Sequence, residues 1–263
     1  MIDVPIRVSP ARARRELCAF GAAVCFLTRL PLGRRLAADA DDLARAGAAF
    51  PLVGAAIGAL VGAVAAVLLH SLGGWIAAVL ALTAAALLTG ALHLDALADS
   101  ADALSARTRE RALEIMRDHA IGSYGAVAIA LDLLLKAGAL STLASHHEVL
   151  RTAVAAGALS RAAPVLLAAA LPYARAETGL GAPLTRGGPR RAAIAALLAA
   201  GIAVATAGTP GAVAAGVVAA IVVTLAVCYR RWLGGVTGDT LGAAVEVTEI
   251  AVFLTAVGLI GVL

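Results

Sequence analysis

A chain of 263 residues that is 61% hydrophobic, 14% charged and 3% aromatic, with a mean hydropathy of +0.93, lies far outside soluble globular composition. It excludes large soluble domains, and a formal charge of +4 carried mostly by arginines beside apolar runs suits an anionic membrane face better than a nucleic-acid groove. The fold expected is an all-α, polytopic membrane bundle packed through small residues, with Cys18, Cys25 and Cys228 as free thiols because their count is odd and no C-x-x-C spacing occurs.

Residues 1–48 form an arginine-rich N-terminal segment, expected to be cytoplasmic or interfacial. Within it, LCAFGAAVCFLT (17–28) resembles the core of a signal peptide, but TRLPLGRR follows where a cleavage site would stand. An interfacial or re-entrant helix is expected there instead. Seven apolar stretches of membrane-crossing length then follow, at about 50–70, 74–94, 124–144, 151–171, 191–208, 211–228 and 241–263. Gly-containing breakers divide the first from the second (SLGG) and the fifth from the sixth (AGTPG). With the N-terminus inside, 18 of the 21 Lys and Arg residues fall on the cytoplasmic side, so the predicted topology is N-in, C-out. The chain reads as one membrane-embedded domain over 1–263.

Two acidic runs border this apolar scaffold. Asp95, Asp99 and Asp102 lie in HLDALADSADAL, and Asp239, Glu246 and Glu249 in TGDTLGAAVEVTEIAV. At 100° per residue each set projects from one helix face. No Lys or Arg interleaves the first run, so three acids there repel one another unless a cation neutralises them. Oxygen ligands at helical spacing suit Mg²⁺, which takes one or two carboxylates plus substrate phosphates. Asp239 is equally readable as a helix N-cap, but Glu246 and Glu249 on the same helix extend it into a second ligand set.

Between the runs, RTRERALEIMRDHAIGSYG reads mostly as an amphipathic surface helix. Arg117, beside Asp118, His119, Gly122 and Gly125, offers the planar donor fork that binds phosphate. Lys136, the single lysine, falls inside the third span one turn after Asp132. It is either half of a buried ion pair or a cation facing a polyphosphate, and Arg161 shares the ambiguity. His146 and His147 lack ligand spacing.

FLTRLP, FPLVGAAIGALVG, GALHLDALADSADAL, LEIMRDHAIGSYG, LLLKAGAL and GGVTGDTLGAAVEVTE, in this order over about residues 26–250, resemble the cobalamin synthase family, the adenosylcobinamide-GDP ribazoletransferases. The resemblance implies a multi-pass bacterial inner-membrane enzyme, and the N-in topology puts its acidic runs, and so the active site, on the cytoplasmic side. The resemblance further implies that the enzyme needs Mg²⁺ and joins adenosylcobinamide-GDP to α-ribazole or α-ribazole 5′-phosphate, releasing GMP. Carried over by position, the family motifs fall on His93, Asp95, Asp99 and Asp102; on Arg117, Asp118, Gly122 and Gly125; on Lys136; and on Gly238, Asp239, Glu246 and Glu249. The expected roles are metal ligation by Asp95, Asp99, Asp102, Asp239, Glu246 and Glu249, phosphate binding by Arg117, Lys136 and His93, and proton removal from the 5′-hydroxyl of α-ribazole by Asp99 or Asp102. Ala96 and Ala103 stand where the family carries glycine, which puts close backbone approach there in question. A CDP-alcohol phosphotransferase shares the Asp-cluster logic, but only its final D-x-x-x-D is matched, by Asp95 and Asp99. An ion-coupled transporter would use intramembrane acids differently, in inverted repeats that the sequence does not display. Small-residue helix faces permit a homodimer.

Overall fold

A computed structural model describes residues 10–31, 40–118, 120–145, 148–175, 179 and 181–260. Among these the protein is all helical, with α1 (Pro10–Leu27), α2 (Ala40–Ala46), α3 (Phe50–Thr89), α4 (Leu92–Ala103), α5 (Arg109–Ile115), α6 (Ser123–Ser145), α7 (Val149–Ala170), α8 (Gly188–Leu233) and α9 (Gly238–Leu259). Five helical stretches are long and apolar enough to cross a membrane: Asp41–Thr89, Ser123–Ser145, Val149–Ala170, Gly188–Leu233 and Gly238–Leu259.

Two of the five fold back on themselves. In α3, Gly73 takes φ 76°, ψ 160°, a conformation that only glycine adopts without strain. The Phe26 ring stacks on Phe50 at the start of α3, with centroids 5.7 Å apart, while the N–H of Arg29 donates to the Leu88 carbonyl near its end (2.8 Å). A straight helix of 40 residues would hold those ends about 60 Å apart, so the chain reverses at Gly73. In α8, Gly208 at φ 59°, ψ −133° makes the second reversal. It brings Gly211 against the Ala203 carbonyl, which a straight helix would leave about 12 Å away. Both reversals fall in the breakers SLGG and AGTPG, so each long helix holds two of the expected spans.

Boundaries differ from expectation where caps intervene. The second expected span was to run to residue 94, but α3 stops at Thr89 because Gly90 and Ala91 are both left-handed (φ 68° and 56°), and His93 passes to α4. The last helix begins at Gly238 instead of 241, since Thr237 and Thr240 form a reciprocal capping box. Thr237 therefore takes the N-cap role, and Asp239 lies in the first turn of the helix.

The first arm of α3 runs antiparallel to α7 on a seam of small residues. Gly54 faces Gly157, Gly58 faces Ala153 and Gly62 faces Leu150, each so close that a Cβ would strike the opposing backbone. Phe50, Leu140, Leu143, Leu167 and Val252 complete the buried interior, whereas Val67, Leu87, Leu197 and Val223 point outward with at least 65% exposure. An apolar outside of this kind suits lipid. Every connection carrying a candidate residue lies at one end of the bundle, with α1 and α2; the reversals at Gly73 and Gly208 lie at the other.

Candidate active site

The helix α4 displays the first acidic run. His93 is buried, Asp99 and Asp102 half-buried, and Asp95 exposed. Its packing explains both alanines that depart from the family pattern. The Ala96 methyl abuts Gly242 of α9, where any side chain would collide with it, so close approach survives with the glycine on the opposite helix. Ala103 is fully buried against a small cluster containing Ala112, Met116, Ala174 and Leu233.

Asp102 faces the start of α6. Its two carboxylate oxygens accept the backbone N–H groups of Gly122 (2.7 Å) and Gly125 (2.8 Å), which satisfies donors that the first turn of a helix leaves open. A Cβ at either glycine would press on that carboxylate. The two motifs DSADAL and GSYG are therefore halves of one contact.

A second group of polar residues comes from the links between helices. Tyr173, just after α7, forms an isolated parallel bridge with Val236, just before α9: Ala174 N–H donates to the Val236 carbonyl (2.8 Å) and Val236 N–H to that of Pro172 (2.9 Å). Arg109 clips the same two links, its Nε–H on the Leu233 carbonyl and its Nη2–H on that of Ala174, both at 2.7 Å. This frame sets Arg175 against Asp239, with Nη2 2.6 Å from Oδ2. Burial pushes the Tyr173 phenol above its ordinary value, the Arg175 charge pulling the other way. Asp95, His93, Tyr173, Arg175 and Asp239 edge a cavity of about 450 Å³ whose remaining wall is largely apolar.

The remaining acids lie deeper. Lys136 of α6, 3% exposed, contacts Glu246 and lies 3.1 Å from Asp132 and 3.0 Å from Glu249. Arg161 of α7 contacts Glu249 and donates to the Ser160 hydroxyl (2.8 Å). Of the two readings of Lys136, the geometry gives the buried ion pair: its ammonium faces carboxylates of two helices. Glu246 and Glu249, expected as metal ligands, are likewise held by cations. Among the described residues no group of three or more His, Cys, Asp or Glu side chains converges in a form that could hold a metal ion. Asp95, Asp99 and Asp102 share α4; Asp239 of α9 lines the same cavity as Asp95, and Glu246 and Glu249 belong to the ion cluster.

Arg117 is exposed just beyond α5, and Asp118 accepts the Ala120 N–H (3.1 Å). Asp102, Asp118 and Gly122 line a shallow surface depression. His119, His146 and His147 lie outside the described residues. Arg109, expected on an amphipathic surface helix, instead holds the two links together; nothing in the sequence marks Tyr173, and the signal for Arg175 is an arginine in the short link between two apolar spans.

Long apolar helices that gather an acid- and arginine-edged cavity at one end define a membrane-type helical protein with an enzyme-like site. The sequence model of the Cobalamin-5-phosphate synthase family matches residues 19–257, and the chain belongs to this family. It is 42% identical over 254 residues to an adenosylcobinamide-GDP ribazoletransferase of Azorhizobium caulinodans, covering 91% of this chain and 95% of the relative. Proteins of the same name from Klebsiella pneumoniae and Shigella flexneri are each 41% identical, over 243 and 249 residues, with 90% of this chain and 98% of the relative covered in both. No solved structure matches the chain.

Proposed function

We propose that the protein joins adenosylcobinamide-GDP to α-ribazole or α-ribazole 5′-phosphate, giving adenosylcobalamin or its 5′-phosphate and releasing GMP. The observation that carries this reading is likeness to ribazoletransferases over nearly the whole chain. A product that keeps its 5′-phosphate requires the 5′ position to stay out of the bond formed, so the attacking group is a secondary ribose hydroxyl instead of the 5′-hydroxyl first expected. That hydroxyl attacks the phosphorus on the cobinamide side, the bond to GMP breaks, GMP leaves with the electron pair, and the hydroxyl proton passes to a carboxylate of α4.

Asp95 and Asp99, one turn apart on the accessible face of α4, suit a cation that takes one or two carboxylates and completes its shell from phosphates. We assign Mg²⁺ to this pair together with the pyrophosphate of the donor. When bound there it would neutralise charge developing on the departing phosphate. Asp99 also stands as the proton acceptor, while Asp102, with two backbone N–H bonds, acts as a positioning residue. The protein is read as crossing a bacterial inner membrane seven times, N-in and C-out, its reversals at Gly73 and Gly208 outside and its arginine-rich end, with the cavity, facing the cytoplasm.

The test is purified protein in detergent with adenosylcobinamide-GDP, α-ribazole 5′-phosphate and Mg²⁺, with an EDTA control, following GMP and the joined corrinoid by chromatography. Both products are expected in equal amounts and only with Mg²⁺. Folded protein that makes neither would sink the reading.

A further inference from the structure

The cavity of about 450 Å³ has a lining of two unlike kinds. Phe26, Phe50, Leu184, Leu241 and Val245 give it an apolar wall, and Asp95, Tyr173, Arg175 and Asp239 give it a polar edge, at which Asp95 is exposed. Cavities of about 300–1,000 Å³ hold drug-sized ligands. This one has space for a nucleoside monophosphate and is far too small for a corrin ring carrying a nucleotide. The polar edge is also incompletely satisfied. Arg175 directs Nη2 at Asp239, while among the described residues its buried Nε–H has no hydrogen-bond acceptor; the Tyr173 hydroxyl lies beside Arg175 and the Gly238 backbone. Buried donors without acceptors are costly, and a phosphoryl oxygen is the acceptor an arginine edge fits best.

We propose that this cavity seats the smaller substrate: the fused aromatic base of the ribazole lies against the apolar wall, and its 5′-phosphate meets Arg175 and Tyr173. The assignment rests on the ribazoletransferase reading above. It leaves the sugar at the polar edge, with its secondary hydroxyls toward the face of α4 that carries Asp95 and, one turn on, Asp99, and requires the much larger corrinoid donor to approach from outside the cavity. Arg175 then distinguishes the nucleotide from the nucleoside, since only the former offers it a phosphate.

Cys25 lines the same cavity and supplies a readout independent of turnover. In a Cys18→Ser/Cys228→Ser background it is the remaining thiol, and its labelling by a small methanethiosulfonate reagent is followed in detergent. α-Ribazole 5′-phosphate is expected to slow labelling strongly, and adenosylcobinamide-GDP alone to leave it unchanged. Arg175→Ala should raise the half-protecting concentration of the 5′-phosphate form about tenfold while barely changing that of α-ribazole, the pattern of one lost charge-assisted contact. Should Arg175→Ala not fold, Leu184→Trp, which fills space at the apolar wall, should abolish protection by both forms. Protection by the corrinoid donor and not by either ribazole would overturn the assignment. Turnover is measured in the same preparation: turnover without ribazole protection overturns the cavity assignment alone, and absence of both overturns it together with the proposed reaction. Protection without turnover upholds the cavity and removes the reaction.

Discussion

Asp102 and Gly122, twenty residues apart in sequence, meet through a 2.7 Å hydrogen bond from the Gly122 backbone N–H to the Asp102 carboxylate. With the second bond from Gly125, one acid on α4 caps the first turn of α6. The favourable placement of a negative charge at a helix N-terminus adds to the two bonds. Asp102→Ala should therefore cost about 1–2 kcal/mol of stability, as the loss of an N-cap does, and leave the Mg²⁺ requirement unchanged. Gly125→Ala should destabilise as well, and the double variant should fall short of the sum, since both changes break one contact. Thermal unfolding in detergent gives the stabilities. A raised Mg²⁺ requirement in Asp102→Ala would return this residue to the metal.

The ion cluster makes a different prediction. Removing the ammonium by Lys136→Met leaves Asp132, Glu246 and Glu249 facing one another in a buried site with Arg161 as the remaining cation, a loss of about 3–5 kcal/mol for a broken buried pair. The variant should fail to accumulate as monodisperse protein, and Lys136→Met/Glu246→Gln should recover part of the yield. If Lys136→Met folds normally and only weakens donor binding, measured as a raised KM for adenosylcobinamide-GDP, the lysine serves a phosphate after all.

For Asp95 and Asp99 the expected outcome is kinetic. Asp95→Asn and Asp99→Asn should leave the fold and membrane insertion intact and each raise the Mg²⁺ concentration for half-maximal activity at least about tenfold, or abolish product formation, as removal of a metal ligand would. Asp239→Asn should act instead on α-ribazole 5′-phosphate, because its partner is Arg175. A Mg²⁺ titration on each variant separates the two behaviours, and unchanged titrations for Asp95→Asn and Asp99→Asn would remove the metal from α4.

What could be read from the sequence followed the range of its signals. Hydropathy runs and the breakers around Gly73 and Gly208 mark where helices run and reverse, because those signals are local. Helical periodicity placed Glu246 and Glu249 on one face, but it carries no information on which helix that face meets. Lys136 lies 110 residues from Glu246, and Arg161 lies 88 from Glu249. A metal and two basic side chains neutralise such a face equally well on paper. Arg175 was illegible for the same reason: its importance arises from the bridge between Tyr173 and Val236, a pairing of two loops with no periodic mark. Asp102 was legible as a charge near its correct depth, and its partner glycines as a motif, but the bond between them required the fold.

The reversal glycines are separable from ordinary helix glycines. Gly208→Ala should cost about 1–3 kcal/mol, the strain of a side chain in a backbone region reserved for glycine. Gly201 and Gly216 lie in the two arms of the same helix with nothing within 4 Å of an added Cβ. Alanine there should be neutral or stabilising by up to about 1 kcal/mol through helix propensity. Equal effects at all three positions, in the same unfolding assay, would show that the reversal at Gly208 contributes no constraint.

The seam between α3 and α7 has a mechanical consequence. Gly54, Gly58 and Gly62 bring main chain onto main chain, so no flexible side-chain layer separates the two helices and neither can slide without lifting away from the other. They form a stiff post running from the Gly73 reversal to Phe50 at the cavity wall. Any opening that admits a substrate must be supplied by the parts hinged to that post: α1 above the cavity, α4 beside it, and the clipped loops that carry Tyr173 and Arg175.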